Sequence, residues 1–185
     1  MKRLLKFISF ILIINILSLF VSCSIETYAT KKISADNEIL LYIENNRLDV
    51  RPNQSGLVFI PLEDGNGEYP QDGDKVAFHY TGYFMDGEVF DTSYDKPYPL
   101  IVELGNSMII RGLEESLKMM NKSSTAKVIV PFYLAYNDME NAPVPPFSNL
   151  IFELKLIDFT PVATKRDASE AEAVVVQSSG FKKSY

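Results

Sequence analysis

Residues able to do covalent or metal chemistry are scarce in these 185 residues: there is one cysteine, Cys23, and one histidine, His79. A zinc site needs ligands that such a chain lacks, a Cys/His nucleophile pair would use its only example of each, and no intrachain disulfide can form. His79 sits in an alternating apolar stretch beside Tyr80, where a histidine is more often a structural hydrogen-bonding group than a general base. Glu114 and Glu115 fall on the polar side of a helical stretch and read as solvated charges. Gly65-Asn66-Gly67 lacks the lysine and helix that would make it a phosphate loop. Hydrolysis by paired carboxylates would require Asp91 and Asp138 or Glu140 within about 10 Å across one cleft, and their spacing gives this little support. What stands out is aromatic, with 12 Phe and 10 Tyr, together with a loop bearing Pro143, Pro145 and Pro146.

The elements that must position these residues follow from periodicity. A helix is expected from a cap at Ser34 or Asp36 to about Asn45-Asn46, with Ile39, Tyr42 and Ile43 on one face; it either packs beside the domain or serves as a stalk. Leu57 to Pro61 alternates as a strand, and Pro61 places it at an edge or a strand end. Val76, Phe78 and Tyr80 share one face of a second strand, and Asp86-Gly87 turns the chain back through Val89-Phe90-Asp91. Leu100, Val102 and Leu104 mark a short strand. Ile110, Leu113, Leu117 and Met120 then fall at helical spacing, and Asn121 reads as the stop. Ala126–Val130 and Leu150–Phe159 complete the strands, with a long loop from Tyr136 to Ser148 between them. Many strands, one amphipathic helix and no βαβ alternation predict an α+β domain with a mainly antiparallel sheet.

These fragments resemble a known family. Val76-Ala77-Phe78-His79-Tyr80-Thr81-Gly82, Asp86-Gly87, Phe90-Asp91-Thr92-Ser93, Leu104-Gly105, Ile109-Ile110-Arg111-Gly112, Pro131, Leu134-Ala135-Tyr136 and Pro145-Pro146 follow the order and spacing of the FKBP-type peptidyl-prolyl isomerases. The resemblance implies a twisted antiparallel half-barrel wrapped around one short helix. It also implies a proline pocket. Tyr80, Phe90 and Phe152 match its aromatic walls, Ile109 and Ile110 the entry to the helix, and Asp91 the buried acid. The backbone N–H at Ile110 and the hydroxyl of Tyr136 match the donors to ligand carbonyls. Leu113 stands where the family commonly has a tryptophan floor and Leu100 where it has a wall phenylalanine, so the cavity should be roomier and macrolide ligands should bind more weakly. Asn137 replaces the glycine that usually follows the rim tyrosine, and Val144 belongs to the rim loop. The implied activity needs no cofactor and no metal. The implied partners are proline-containing segments of other proteins. A non-catalytic chaperone or envelope assembly lipoprotein, using the same pocket or the loop from Asn137 to Pro146, is the alternative.

The N-terminus reads as an address. Lys2, Arg3 and Lys6 precede an apolar run from Phe7 to Val21, the order of an export signal. Ser22-Cys23 at its end resembles the lipobox of bacterial lipoproteins, which implies cleavage after residue 22, a lipid on Cys23 and attachment to a membrane in the cell envelope, facing the periplasm or exterior. An uncleaved span over Leu4–Ser22 is the competing reading. With three of the 18 basic residues in that leader, the other 15 face 24 acidic ones. Such a balance repels nucleic acid and anionic lipid. The expected organisation is therefore a signal peptide over 1–22, a tether with a short helix over 23–50, an isomerase domain over 51–160 and a disordered tail over 161–185, with a helical turn or two around Ser169–Val175.

Overall fold

A computed structural model describes residues 27–106 and 108–162. The expected signal peptide, Cys23, the competing span and, beyond residue 162, the expected disordered tail with its turns around Ser169–Val175 lie outside the described residues. Helix α1 (Tyr28–Asn45) precedes strands β1 (Val58–Glu63), β2 (Lys75–Phe84), β3 (Val89–Thr92) and β4 (Leu100–Glu103). Helix α2 (Arg111–Leu117), β5 (Thr125–Val130), a 3₁₀ turn (Phe132–Leu134) and β6 (Leu150–Thr160) follow. Two compact units divide at Ser34, within α1, and all packing described below belongs to the unit that starts there.

The strands pair in the order β1-β5-β6-β2-β3, with β4 beside β3 along β2, and all the pairings are antiparallel. β1 is an edge strand, which accommodates the missing N–H of Pro61. Period-two alternation divides the sheet into two faces. On the inner face, Val76 and Phe78 of β2, Ala126, Val128 and Val130 of β5, and Leu150, Phe152, Leu154 and Leu156 of β6 bury themselves with Leu113, Leu117 and Met120. On the outer face, Val58, Ile129 and Ile151 meet Ile39 and Ile43 of α1.

α1 thus packs on the sheet from Ser34 onward. It also begins earlier than the sequence suggests, because the Thr27 hydroxyl accepts the Thr30 N–H at 3.3 Å and starts the helix ahead of its first buried residue. α2 ends earlier, at Leu117 instead of running to Asn121. There Met119 N–H and Met120 N–H bond the carbonyls of Ser116 and Leu117, tightening the chain into a turn that still buries Met120.

Candidate functional site

The inner face of β2 carries Tyr80 and Gly82 toward the open end of the core. A Cβ on Gly82 would lie 2.6 Å from the Phe90 ring and 3.0 Å from that of Phe152, so only glycine lets those rings close over the strand. Opposite it, β3 is bulged: Gly82 pairs with Asp91 and Tyr83 with Val89, leaving Phe90 as the extra residue. The bulge turns two successive residues inward. Phe90 packs edge-on against Phe152 at 5.7 Å between centroids, and the Tyr80 hydroxyl donates to Asp91 Oδ2 at 2.6 Å. Ser93 continues the pairing beyond β3, its Oγ accepting the Tyr80 N–H at 2.8 Å and lying 2.9 Å from His79 Nδ1. His79, stacked on Tyr94, is a structural partner in this arrangement.

α2 supplies the floor. Gly112 lies so close to β5 that a Cβ would come within 2.3 Å of Val130 Cγ1, and this contact seats the helix on the sheet. Leu113 is thereby buried at the base, while Ile110 caps the helix in extended conformation with its carbonyl accepting the N–H groups of Leu113 and Glu114. The loop before it is tied to α2 through Gly105 N–H and the Glu114 carboxylate.

The rim is built by the turn after β5. The Phe132 carbonyl accepts the N–H groups of Ala135 and Asn137, which bracket Tyr136. Asn137 has φ 54°, a left-handed conformation that asparagine and glycine adopt most readily, so its replacement of glycine conserves the backbone. Burial first, and then the Asp91 charge, push the Tyr136 phenol above its ordinary pKa. Tyr80 is raised in the same way by burial, followed by its bond to Asp91. Both phenols are hydrogen-bond donors at neutral pH, and among the described residues the Tyr136 hydroxyl bonds to none.

These pieces enclose a cleft of about 470 Å³. Of the residues expected from sequence, Tyr80, Leu100, Ile109, Ile110, Leu113, Tyr136 and Phe152 line it. Phe90 and Asp91 stand behind the wall, bracing Phe152 and Tyr80. Val144 is buried in the core and does not line the cleft. Met108, Arg111, Ala135 and Met139 complete the lining. Arg111 and Ala135 fall within the motifs quoted above without a pocket role of their own, while Met108 and Met139 lie in loops where no period marks them and are exposed at the mouth.

The sequence profile of FKBP-type peptidyl-prolyl cis-trans isomerases matches residues 66–157. FkpA of Escherichia coli, named as an isomerase of this type, is 38% identical over 130 residues, which cover 70% of this chain and 47% of that protein. The 22 kDa FKBP-type isomerase of the same bacterium is 37% identical over 120 residues, 63% of this chain and 57% of its own length. This chain therefore spans about half the length of such relatives. The crystal structure of E. coli FkpA superposes with a TM-score of 0.59 at 33% identity, covering 72% of this chain and 64% of that one. That of AtFKBP13 gives 0.56 at 27% identity over 60% of this chain and 99% of its own. Fold, bulged aromatic wall and matching relatives agree, and the chain belongs to the FKBP-type peptidyl-prolyl cis-trans isomerase family.

Proposed function

We propose that this chain accelerates cis–trans isomerisation of X-Pro bonds in exported or envelope proteins, held at a membrane by a lipid on Cys23. The observation that carries the reading is the cleft, with aromatic and aliphatic walls around a base of Leu113 and one unshared phenol, Tyr136, at its rim. Amide resonance sets a barrier of ~20 kcal/mol to rotation, and the planar amide is more polar than the twisted one. A cleft that excludes water therefore favours the twisted amide, and each ~1.4 kcal/mol of that preference is about tenfold in rate. Tyr80, Leu100, Ile109, Leu113 and Phe152 supply the apolar surface. The Ile110 N–H and Tyr136 hydroxyl hold carbonyls of the substrate, and Asp91 fixes the Tyr80 ring through its phenol.

The test is cis–trans exchange of a Leu-Pro-Phe peptide followed by NMR. Acceleration at micromolar protein is expected, and none would sink the reading. Exposed Met108 and Met139 at the mouth favour a second reading, binding of varied apolar segments without catalysis; the same peptide would then bind without faster exchange. For the place of action, the mass of the mature N-terminus decides between acylated Cys23 and an intact Met1.

A further inference from the structure

We infer that α1, beyond covering the outer face, positions Tyr136 through a relay of buried hydrogen bonds centred on Asn149; the inference rests on the isomerase reading above. Asn149 is only 3% exposed, just ahead of β6. Its Oδ1 accepts the Phe132 N–H at 3.0 Å. Its Nδ2 donates to the Ala35 carbonyl at 2.9 Å and to Glu38 Oε2 at 2.7 Å, both on α1. Only this orientation of the amide works, because turning it over would set NH₂ against N–H and oxygen against two acceptors. A second tie runs from the Tyr133 hydroxyl to Asp36 Oδ1 at 2.8 Å.

The peptide held this way is the one that shapes the rim. Phe132 accepts Ala135 N–H at 3.0 Å and Asn137 N–H at 2.9 Å, one on each side of Tyr136, and the Asn137 carbonyl accepts Phe147 N–H at 2.7 Å. Displacing Phe132 thus displaces both neighbours of Tyr136 together. The alignment of a catalytic donor is sensitive to such shifts. Glu38 and Asn149 are therefore positioning residues, and α1 is a structural part of the isomerase site.

A double-mutant cycle on the full chain tests this. Glu38→Ala removes one acceptor and leaves Asn149 bonded to Ala35 and Phe132. It is expected to lower kcat/KM for the Leu-Pro-Phe peptide about threefold when Tyr136 is present, and to have no further effect in a Tyr136→Phe background. Asn149→Asp keeps an acceptor for Phe132 but sets a second carboxylate against Glu38; a loss of about tenfold is expected, restored to within about twofold by adding Glu38→Gln, whose amide can donate. Amide exchange at Phe132 and Asn137 should quicken in Glu38→Ala and Asn149→Asp. Equal losses with and without the Tyr136 hydroxyl, or unaltered exchange at both amides, would overturn the proposal. If the unsubstituted chain itself fails to accelerate the peptide, the isomerase reading falls, and amide exchange alone decides whether α1 holds the turn.

Discussion

Among the described residues each face of the sheet carries one helix, and the two helices do opposite jobs. α1, from Ser34 to Asn45, seals the outer face: the positions beneath it, Val58, Ile129 and Ile151, are apolar and buried. Farther along β5 and β6, where that cover gives out, the outward positions become Lys127, paired with Glu153 at 3.1 Å, and exposed Lys155. α2, with seven residues, is too short to seal the inner face and leaves the aromatic cleft beside it. An uncovered apolar surface costs about 25 cal/mol per Å² of exposed area, a cost that a merely structural face has no reason to bear. The outer face shows what this sheet does when stability alone decides; the inner face departs from it where a substrate would sit.

Breaking the seal should have the largest effect. Ile39→Ala removes a fully buried side chain between α1 and the sheet and is expected to cost about 3 kcal/mol, read by urea denaturation. A loss below about 1 kcal/mol would show that the outer face can collapse around the gap, and the contrast between the faces would weaken. Next is the seat of the short helix. Gly112→Ala forces a methyl group against Val130, so α2 must lift from β5, for about 2 kcal/mol in stability with a fall in kcat/KM as Leu113 moves. Unchanged kcat/KM in the folded protein would mean the cleft floor does not depend on that contact. Tyr136→Phe sharpens the comparison from the other side: about tenfold lower kcat/KM, equivalent to ~1.4 kcal/mol, with unfolding free energy unmoved. A matching loss of stability would assign the hydroxyl to the fold.

Much of this contrast is legible in the sequence. The run Leu150, Phe152, Leu154 and Leu156 against Glu153 and Lys155 names the buried face of β6, and Ile110, Leu113 and Leu117 place α2, because burial on one side imposes a period. The bulge is not read from the sequence: the resemblance gives both Phe90 and Asp91 pocket roles, and only the register of β2 with β3 shows how two successive residues reach one face. What lacked a period was harder to read. Thr27 starts α1 in a polar stretch, Met108 and Met139 sit in loops, and Asn149 is a buried amide whose partners come from α1 and the rim turn, far away in sequence. Asn137 was visible as a departure from glycine, but its tolerance follows from a positive φ that only the folded backbone reveals.

The smallest expected effect concerns the wall itself. Burial, and then the bond to Asp91, hold the Tyr80 phenol above the ordinary tyrosine value of about 10, so the folded chain keeps that proton where the unfolded chain has lost it. The stabilisation is then present in full below pH 10 and declines as pH rises from there toward the folded pKa, at no more than about 1.4 kcal/mol per pH unit and less for a partly exposed ring. The difference between the unsubstituted chain and Tyr80→Phe is the informative quantity, because alkaline effects common to both cancel in it. At pH 8 the variant should be less stable by about 1 kcal/mol, the net worth of a typical hydrogen bond at a partly exposed side chain, and by pH 11 the gap should have narrowed. Parallel stability curves from pH 8 to 11 would show that the Tyr80–Asp91 bond contributes nothing to the fold. The inner wall would then be held by Phe90 and Phe152 packing alone, and Asp91 would be left with its bearing on Tyr136 as its only role.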